Sequence, residues 1–305
     1  MNPDQKTDPA TTVLAAIETA AKALETAGVS FGHGTTNAFD EAAWLVLWSL
    51  GLPLDTELDG PQSRADQSVS AVELAQLQAL VAERISSRKP AAYLTQQAWL
   101  QGVPFYVDER AIVPRSLIAE LIADGTLDDW LSDQTKTVLD LCTGNGSLAI
   151  LAAMAWPDVS VEAVDISADA LAVARINVDQ HELQDRIRLG LSDGLKAFLP
   201  AKTFDLILCN PPYVNAQSMA ALPAEYLAEP TLALAGGTDG MDFVRQLLKD
   251  APQVMGRDSV LVLEIGNERD YFEAAFPQLP VFWLSTSAGD DQVLLITREA
   301  LAYLN

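Results

Sequence analysis

From residue 137 onward, short apolar and β-branched runs alternate with stretches whose apolar positions recur at helical spacing, and this alternation restricts the fold more than any other feature of the chain. It predicts strands over 137–142, 159–165, 187–191, 204–209 and 259–265, with helices over 147–154, 168–181 and about 240–251. A chain patterned in this way forms a doubly wound, mainly parallel α/β sheet whose ligands bind beyond the carboxyl ends of the strands. Two further strands, 281–285 and 292–297, are separated by Gly289, Asp290 and Asp291, and predict an antiparallel hairpin that finishes the sheet, with both carboxylates in its solvated loop.

The residues before this region read differently. Helical spacing extends over 11–27, over 41–50 with Asp40 as N-cap, and over 70–88 with Val72, Leu74, Leu77, Leu80, Val81 and Ile85 on the buried side. Residues 1–90 are therefore expected to form a small helical domain. Residues 91–116, aromatic and β-branched with Gly102 and Pro104 between two short runs, form a hairpin connector, and 117–305 the α/β domain.

Composition bounds the function. The chain has 305 residues, 49% of them apolar, with 6 Trp, 6 Tyr and 9 Phe, enough for real cores. Against 42 acidic residues stand 19 Lys and Arg, a net charge of -23 that repels nucleic acid backbones and anionic lipid and favours basic partners. The first ten residues carry Asp4 and Asp8 and lack the order of a signal peptide, and no apolar run approaches the ~20 residues of a spanning helix. Cys142 and Cys209 are too few for a disulfide framework and are not spaced as a metal site. A soluble, cytoplasmic protein without a metal is expected. Cys142 and Cys209 are expected to pack as neighbours, and His33, between two glycines, to serve its loop.

Four elements carry chemistry. The first α/β strand runs through Asp140 and Cys142 into Thr143-Gly144-Asn145-Gly146 and then directly into a helix, so the backbone turns tightly and aims N–H groups at a ligand. Taken alone, this turn also fits a dinucleotide fingerprint. Asp165, 19 residues beyond Gly146 and followed by Ile166, ends the second strand, where a carboxylate accepts both ribose hydroxyls of NAD or S-adenosylmethionine alike, or caps the next helix. Asp193 after the third strand is placed to accept from an adenine amino group, or to shape the turn at Gly194.

The fourth element, Asn210-Pro211-Pro212-Tyr213, decides among cofactors. The prolines stiffen the backbone and donate no N–H, leaving an acceptor-rich turn. An amide nitrogen is a poor nucleophile because its lone pair is delocalised. Accepting its two N–H groups at the Asn210 oxygen and the Pro211 carbonyl pushes the lone pair toward an electrophilic methyl group, while the Tyr213 ring covers the flat face. Hydride transfer has no use for this arrangement.

These elements together resemble the class I S-adenosylmethionine methyltransferases of the HemK type, which methylate glutamine side-chain amides in proteins of translation. The likeness takes in the connector elements Arg88 to Leu94, Phe105 to Arg110 and Val113 to Ser116, together with Glu229 to Leu234 and Gly237 to Gly240. It implies a Rossmann-like catalytic domain after a helical substrate-recognition domain and S-adenosyl-L-methionine as cofactor. The implied cofactor-binding residues are Asp140, Cys142, Thr143, Gly144, Asn145, Gly146, Asp165, Ile166, Asp193 and Asn210. Asn210, Pro211 and Tyr213 are the implied catalytic residues, and Pro212 joins them in binding substrate.

Within the family, the release-factor branch continues its Pro-Arg element as Pro-Arg-Pro-Asp/Glu-Thr-Glu. Pro114-Arg115-Ser116-Leu117-Ile118-Ala119-Glu120 is instead similar to the PrmB branch, which acts on large-subunit ribosomal protein 3. The resemblance therefore implies a basic ribosomal protein as partner. Three other readings weigh against it: methylation of release factors, adenine-N6 methylation of nucleic acid, and a non-catalytic chaperone of a basic ribosomal protein. Arg84 to Lys89 is the chain's one basic cluster, little for a DNA-binding enzyme. One departure stands out: Gly194 occupies a place where the release-factor branch tends to carry an aromatic residue.

Overall fold

The computed structural model describes residues 11–200 and 202–304; residues 1–10, which include Asp4 and Asp8, Ala201 and Asn305 lie outside the described residues. The chain divides into two compact units. One holds the chain up to Gln96 together with Pro223–Ala228, and the other holds Gln97–Leu222 and Glu229–Asn305.

The first unit is helical. In α1 (Val13–Thr26), Val13, Ile17, Ala21 and Leu24 of the expected stripe are buried, Leu14 is only partly so, Ala16 and Ala20 join them, and the Thr12 side chain caps the helix. The N-cap of α2 (Ala38–Ser49) is Asn37 rather than Asp40: the Asn37 oxygen accepts from the Asp40 N–H at 3.0 Å, and Asp40 sits in the first turn, where a carboxylate faces the positive helix end. A capping box of Ser70 and Glu73 opens α3 (Ala71–Ser87). Its buried side is narrower than expected, made of Leu77, Val81 and Arg84, with Val72 69% exposed. Arg84 is fully buried; its guanidinium donates to Glu41 at 2.7 Å, Glu225 at 3.4 Å and the Ser30 carbonyl at 3.0 Å, while Arg88 reaches Glu225 at 3.2 Å. Both arginines of the basic cluster are thus engaged in ion pairs within the helical unit.

Those ion pairs explain a boundary the sequence does not reveal. Glu225 lies in Pro223–Ala228, which groups with the helices although the residues on both sides of it belong to the other unit. A buried guanidinium without a carboxylate would cost several kcal/mol, so the distant acid is held there. A short helix, α4 (Ala91–Thr95), closes the unit inside what the sequence reads as connector.

The second unit begins with the small hairpin of β1 (Ala98–Leu100) and β2 (Val103–Phe105), and α5 (Ile118–Ala123) follows. Then come β3 (Thr137–Leu141), α6 (Ser147–Ala155), β4 (Ser160–Asp165), α7 (Ala168–Gln180), β5 (Ile187–Leu191), β6 (Phe204–Cys209) and α8 (Ala216–Ala221). The last elements are α9 (Asp242–Asp250), β7 (Met255–Glu264), α10 (Arg269–Ala275), β8 (Phe282–Thr286) and β9 (Gly289–Thr297). The seven-stranded sheet runs β5-β4-β3-β6-β7-β9-β8, parallel through β7 and antiparallel thereafter. The predicted hairpin is present, but Asp290 and Asp291 lie inside β9 instead of in its loop, because the turn tightens onto Thr286 and Gly289. Both sheet faces are covered, and the central runs 138–139, 206–209 and 260–263 are continuously apolar because they are buried on both faces.

Candidate active site

The parallel strands β3, β4, β5, β6 and β7 end in register along one edge: Leu141 pairs with Val164 and Cys209, Asp165 with Leu191, and Cys209 with Leu263. The sheet therefore collects the loops after these strands, and an open pocket there is lined by Cys142, Gly144, Asp165, Ile166, Asp193, Gly194, Asn210 and Pro212. Eight positions singled out in the sequence, counting Gly194, thus meet at one pocket.

The glycine turn is held from below. Asp140, fully buried, accepts from Thr143 Oγ1 at 2.5 Å and from the Ala149 N–H at 3.0 Å, which ties the strand end to the start of α6. Burial pushes its carboxyl up to about 7; the two hydrogen bonds pull down, and nearby Asp165 adds to the rise. Its Oδ1 and the Asn145 Nδ2 are buried without a hydrogen-bond partner among the described residues. Cys142, Gly144 and Gly146 take positive φ of 62°, 55° and 83°. A Cβ on Gly146 would come within 3.2 Å of Ala174 on α7, so that glycine admits the close approach of a neighbouring helix. Asn177 on α7 clamps the turn to the residues after β2: its Nδ2 donates to the carbonyls of Asn145 at 2.8 Å and Tyr106 at 3.0 Å, and its Oδ1 accepts from the Tyr106 N–H at 2.7 Å.

Asp165 is not the cap of α7; Ser167 is. The Asp165 carboxylate instead accepts from the Gly144 N–H at 2.9 Å and the Ser167 N–H at 2.8 Å, and it lines the pocket. Burial raises its carboxyl above the usual range. Asp193 is more exposed and ion-paired with Lys196. Beside it, Phe243 of α9 lies 3.9 Å from the position a Gly194 Cβ would take and lines the same pocket, so an aromatic face arrives from a different element.

After β6, the Asn210 side chain lines the pocket with no hydrogen bond among the described residues, and Pro211 is buried. Tyr213 sits in a cradle of glycines. A Cβ on Gly236 would stand 2.7 Å from the Tyr213 Cα, one on Gly240 would overlap its carbonyl oxygen, and one on Gly266 would stand 2.5 Å from its ring. Its hydroxyl donates to Glu264 at 3.3 Å.

Sequence reasoning missed Glu264 and Phe243, and read Ser116 only as a mark of its branch. The signal for Glu264 is an acid that follows the apolar run 260–263 at the end of a central strand; Phe243 carries none beyond its place on a helix. Ser116 Oγ donates to Glu264 at 2.5 Å, and Arg115 pairs with Glu229 through two bonds of 2.6 and 2.7 Å, so both members of the Arg115-Ser116 pair have carboxylate partners. Cys142 and Cys209 are neighbours, and burial together with the Cys142 thiol pushes the Cys209 thiol well up. His33 is buried against the Tyr226 ring at 4.4 Å within the helical unit. Among the described residues no group of three His, Cys, Asp or Glu could hold a metal ion, and no helix is long and apolar enough to cross a membrane.

Residues 123–260 match the family model of the methyltransferase small domain. The chain is similar to "Ribosomal protein uL3 glutamine methyltransferase" of Bordetella pertussis, 54% identical over 93% of this chain and 94% of that one. It is also similar to the protein of the same name from Burkholderia pseudomallei, 51% identical over 94% and 95%. Among solved structures, the hMettl16 catalytic domain in complex with MAT2A 3'UTR hairpin 1 matches with a TM-score of 0.52 at 14% identity, covering 78% of this chain and 85% of that one, a likeness of fold alone.

Proposed function

We infer the function from the premise that this chain belongs to the family of ribosomal protein uL3 glutamine methyltransferases: it transfers a methyl group from S-adenosyl-L-methionine to the side-chain amide nitrogen of a glutamine in uL3. The observation that carries this reading is the Asn210 amide, unengaged by the protein and facing the pocket that Gly144 and Asp165 line.

The residues fit the cofactor. Asp140 Oδ1, buried and unpartnered, calls for a cationic or hydrogen-bonding neighbour. The Asp165 carboxylate at the pocket wall suits a ribose diol, and Ile166, Gly194 and Phe243 give a base an apolar slot with Asp193 at its edge. When bound, S-adenosyl-L-methionine supplies an electrophilic methyl group on a sulfonium sulfur.

The chain's own residues do the rest. The Asn210 side-chain oxygen and the Pro211 carbonyl accept hydrogen bonds from the two amide N–H groups and localise the lone pair on nitrogen. Tyr213 covers the amide face and fixes the line of attack, since orientation of this kind supplies a large share of a transfer rate. The nitrogen gives up one proton to water after it has gained the methyl group, so no general base is needed beforehand.

Adenine in nucleic acid poses the same nitrogen problem, but Arg84 and Arg88 are consumed by Glu41 and Glu225 and form no phosphate-binding face. The site of action is the cytoplasm, where ribosomal proteins are made. The test offers purified protein and labelled cofactor to isolated uL3, to a release factor and to an adenine-containing duplex. Label in uL3 alone supports the reading, and label in either of the others replaces it.

A further inference from the structure

We propose that Glu264 is a positioning residue for methyl transfer, one that fixes the Tyr213 ring and ties it to the Ser116-Leu117 turn. The proposal rests on the reading of Tyr213 as the residue that covers the substrate amide.

Glu264 is the last residue of β7, the strand next to β6, so its carboxylate emerges beside the turn that follows Cys209. It is 3% exposed and accepts three donors from two distant parts of the chain, the Ser116-Leu117 turn and Tyr213. Oε1 takes the Tyr213 hydroxyl at 3.3 Å; Oε2 takes Ser116 Oγ at 2.5 Å and the Leu117 N–H at 2.9 Å. Three converging donors hold a carboxylate in one orientation.

The ring is held from its other side by shape. Gly266, two residues beyond Glu264, leaves no room for a Cβ, which would stand 2.5 Å from the Tyr213 ring. The Glu264-Ile265-Gly266 corner therefore presents one hydrogen-bond acceptor and one backbone surface to Tyr213, and together they set both its height and its tilt. Ser116 is the residue at which this chain leaves the Pro-Arg-Pro pattern, and its hydroxyl is a donor that a proline could not supply. That hydroxyl occupies Oε2 and leaves Oε1 directed at Tyr213.

The experiment compares wild type with Glu264→Gln, Tyr213→Phe, the double variant and Ser116→Ala. Cofactor affinity is read by calorimetry, methylation of uL3 by steady-state kinetics, and the Tyr213 ring by NMR of tyrosine-labelled protein, with its signal assigned through Tyr213→Phe. Glu264→Gln should lower kcat about tenfold, the scale of one lost orienting bond, with cofactor affinity within about twofold of wild type. Tyr213→Phe should behave alike, and the double variant should be no worse than the poorer single one, because both remove the same link. Ser116→Ala should move the Tyr213 signal in the same direction by less.

Losses that multiply in the double variant, or a Tyr213 signal unmoved by Glu264→Gln, would overturn the proposal. So would a loss confined to cofactor affinity or to melting temperature. If wild type fails to methylate uL3 while Glu264→Gln still shifts the Tyr213 signal, the functional reading falls and the positioning of the ring stands.

Discussion

Asp165 and Asp140 do opposite work at the residue scale. Asp165 braces the turn by accepting from the Gly144 and Ser167 N–H groups and lines the pocket, so on the proposed reading Asp165→Ala removes both the turn's brace and an acceptor for the ribose. Charge-assisted bonds are worth ~1.5 to 3 kcal/mol each, so titration calorimetry should show cofactor affinity falling more than tenfold, with Asp165→Asn milder because one oxygen remains. Asp140 is a buried acid whose carboxyl is raised to about 7, against an ordinary value of 3.8. A raised acid binds its proton more tightly when folded, so its ionisation costs stability as pH climbs toward 7, and the cost levels off above that. Asp140→Asn escapes this cost. Its stability relative to wild type should therefore increase by about 2 kcal/mol between pH 5.5 and 8, read by denaturant titration at each pH. An unchanged difference would mean that Asp140 is ionised throughout.

At the scale of elements, the strands and helices of the catalytic half were legible because each carries its own period and its own stop signal. The glycine turn, Asp165 and Asn210 to Tyr213 were legible for a related reason: each follows directly on a strand, and a parallel sheet brings strand ends to one edge. What the sequence hid depends on partners far away along the chain. Arg84 reads as a surface cation until Glu225 buries it, 141 residues on. Glu264 reads as a strand terminus until Ser116 and Tyr213 converge on it. Asn177 reads as one more helix residue, yet it joins α7, the glycine turn and the residues after β2 through three hydrogen bonds. Asn177→Ala leaves those buried groups unsatisfied and should cost about 2 to 4 kcal/mol in urea unfolding, while Asn177→Asp, which keeps the acceptor for Tyr106, should differ from it mainly through its charge. A loss below about 0.5 kcal/mol would show that water replaces the clamp.

For the whole molecule, the net charge of -23 is the property that no single motif explains. A basic ribosomal protein not yet neutralised by RNA is drawn to such a surface, and an assembled particle is repelled by it. The KM for free uL3 should therefore rise with ionic strength from low to physiological salt, and intact subunits should be poor substrates. A KM indifferent to salt would leave docking to contacts other than charge. The most direct test of the central claim is to incubate the protein with S-adenosyl-L-methionine and unmodified uL3, and to map the product by tandem mass spectrometry alongside Asn210→Ala. The account predicts one methyl group on the side-chain amide of one glutamine, lost with Asn210→Ala although that variant still binds the cofactor. A methyl group on any other residue type, or full transfer by Asn210→Ala, would contradict it.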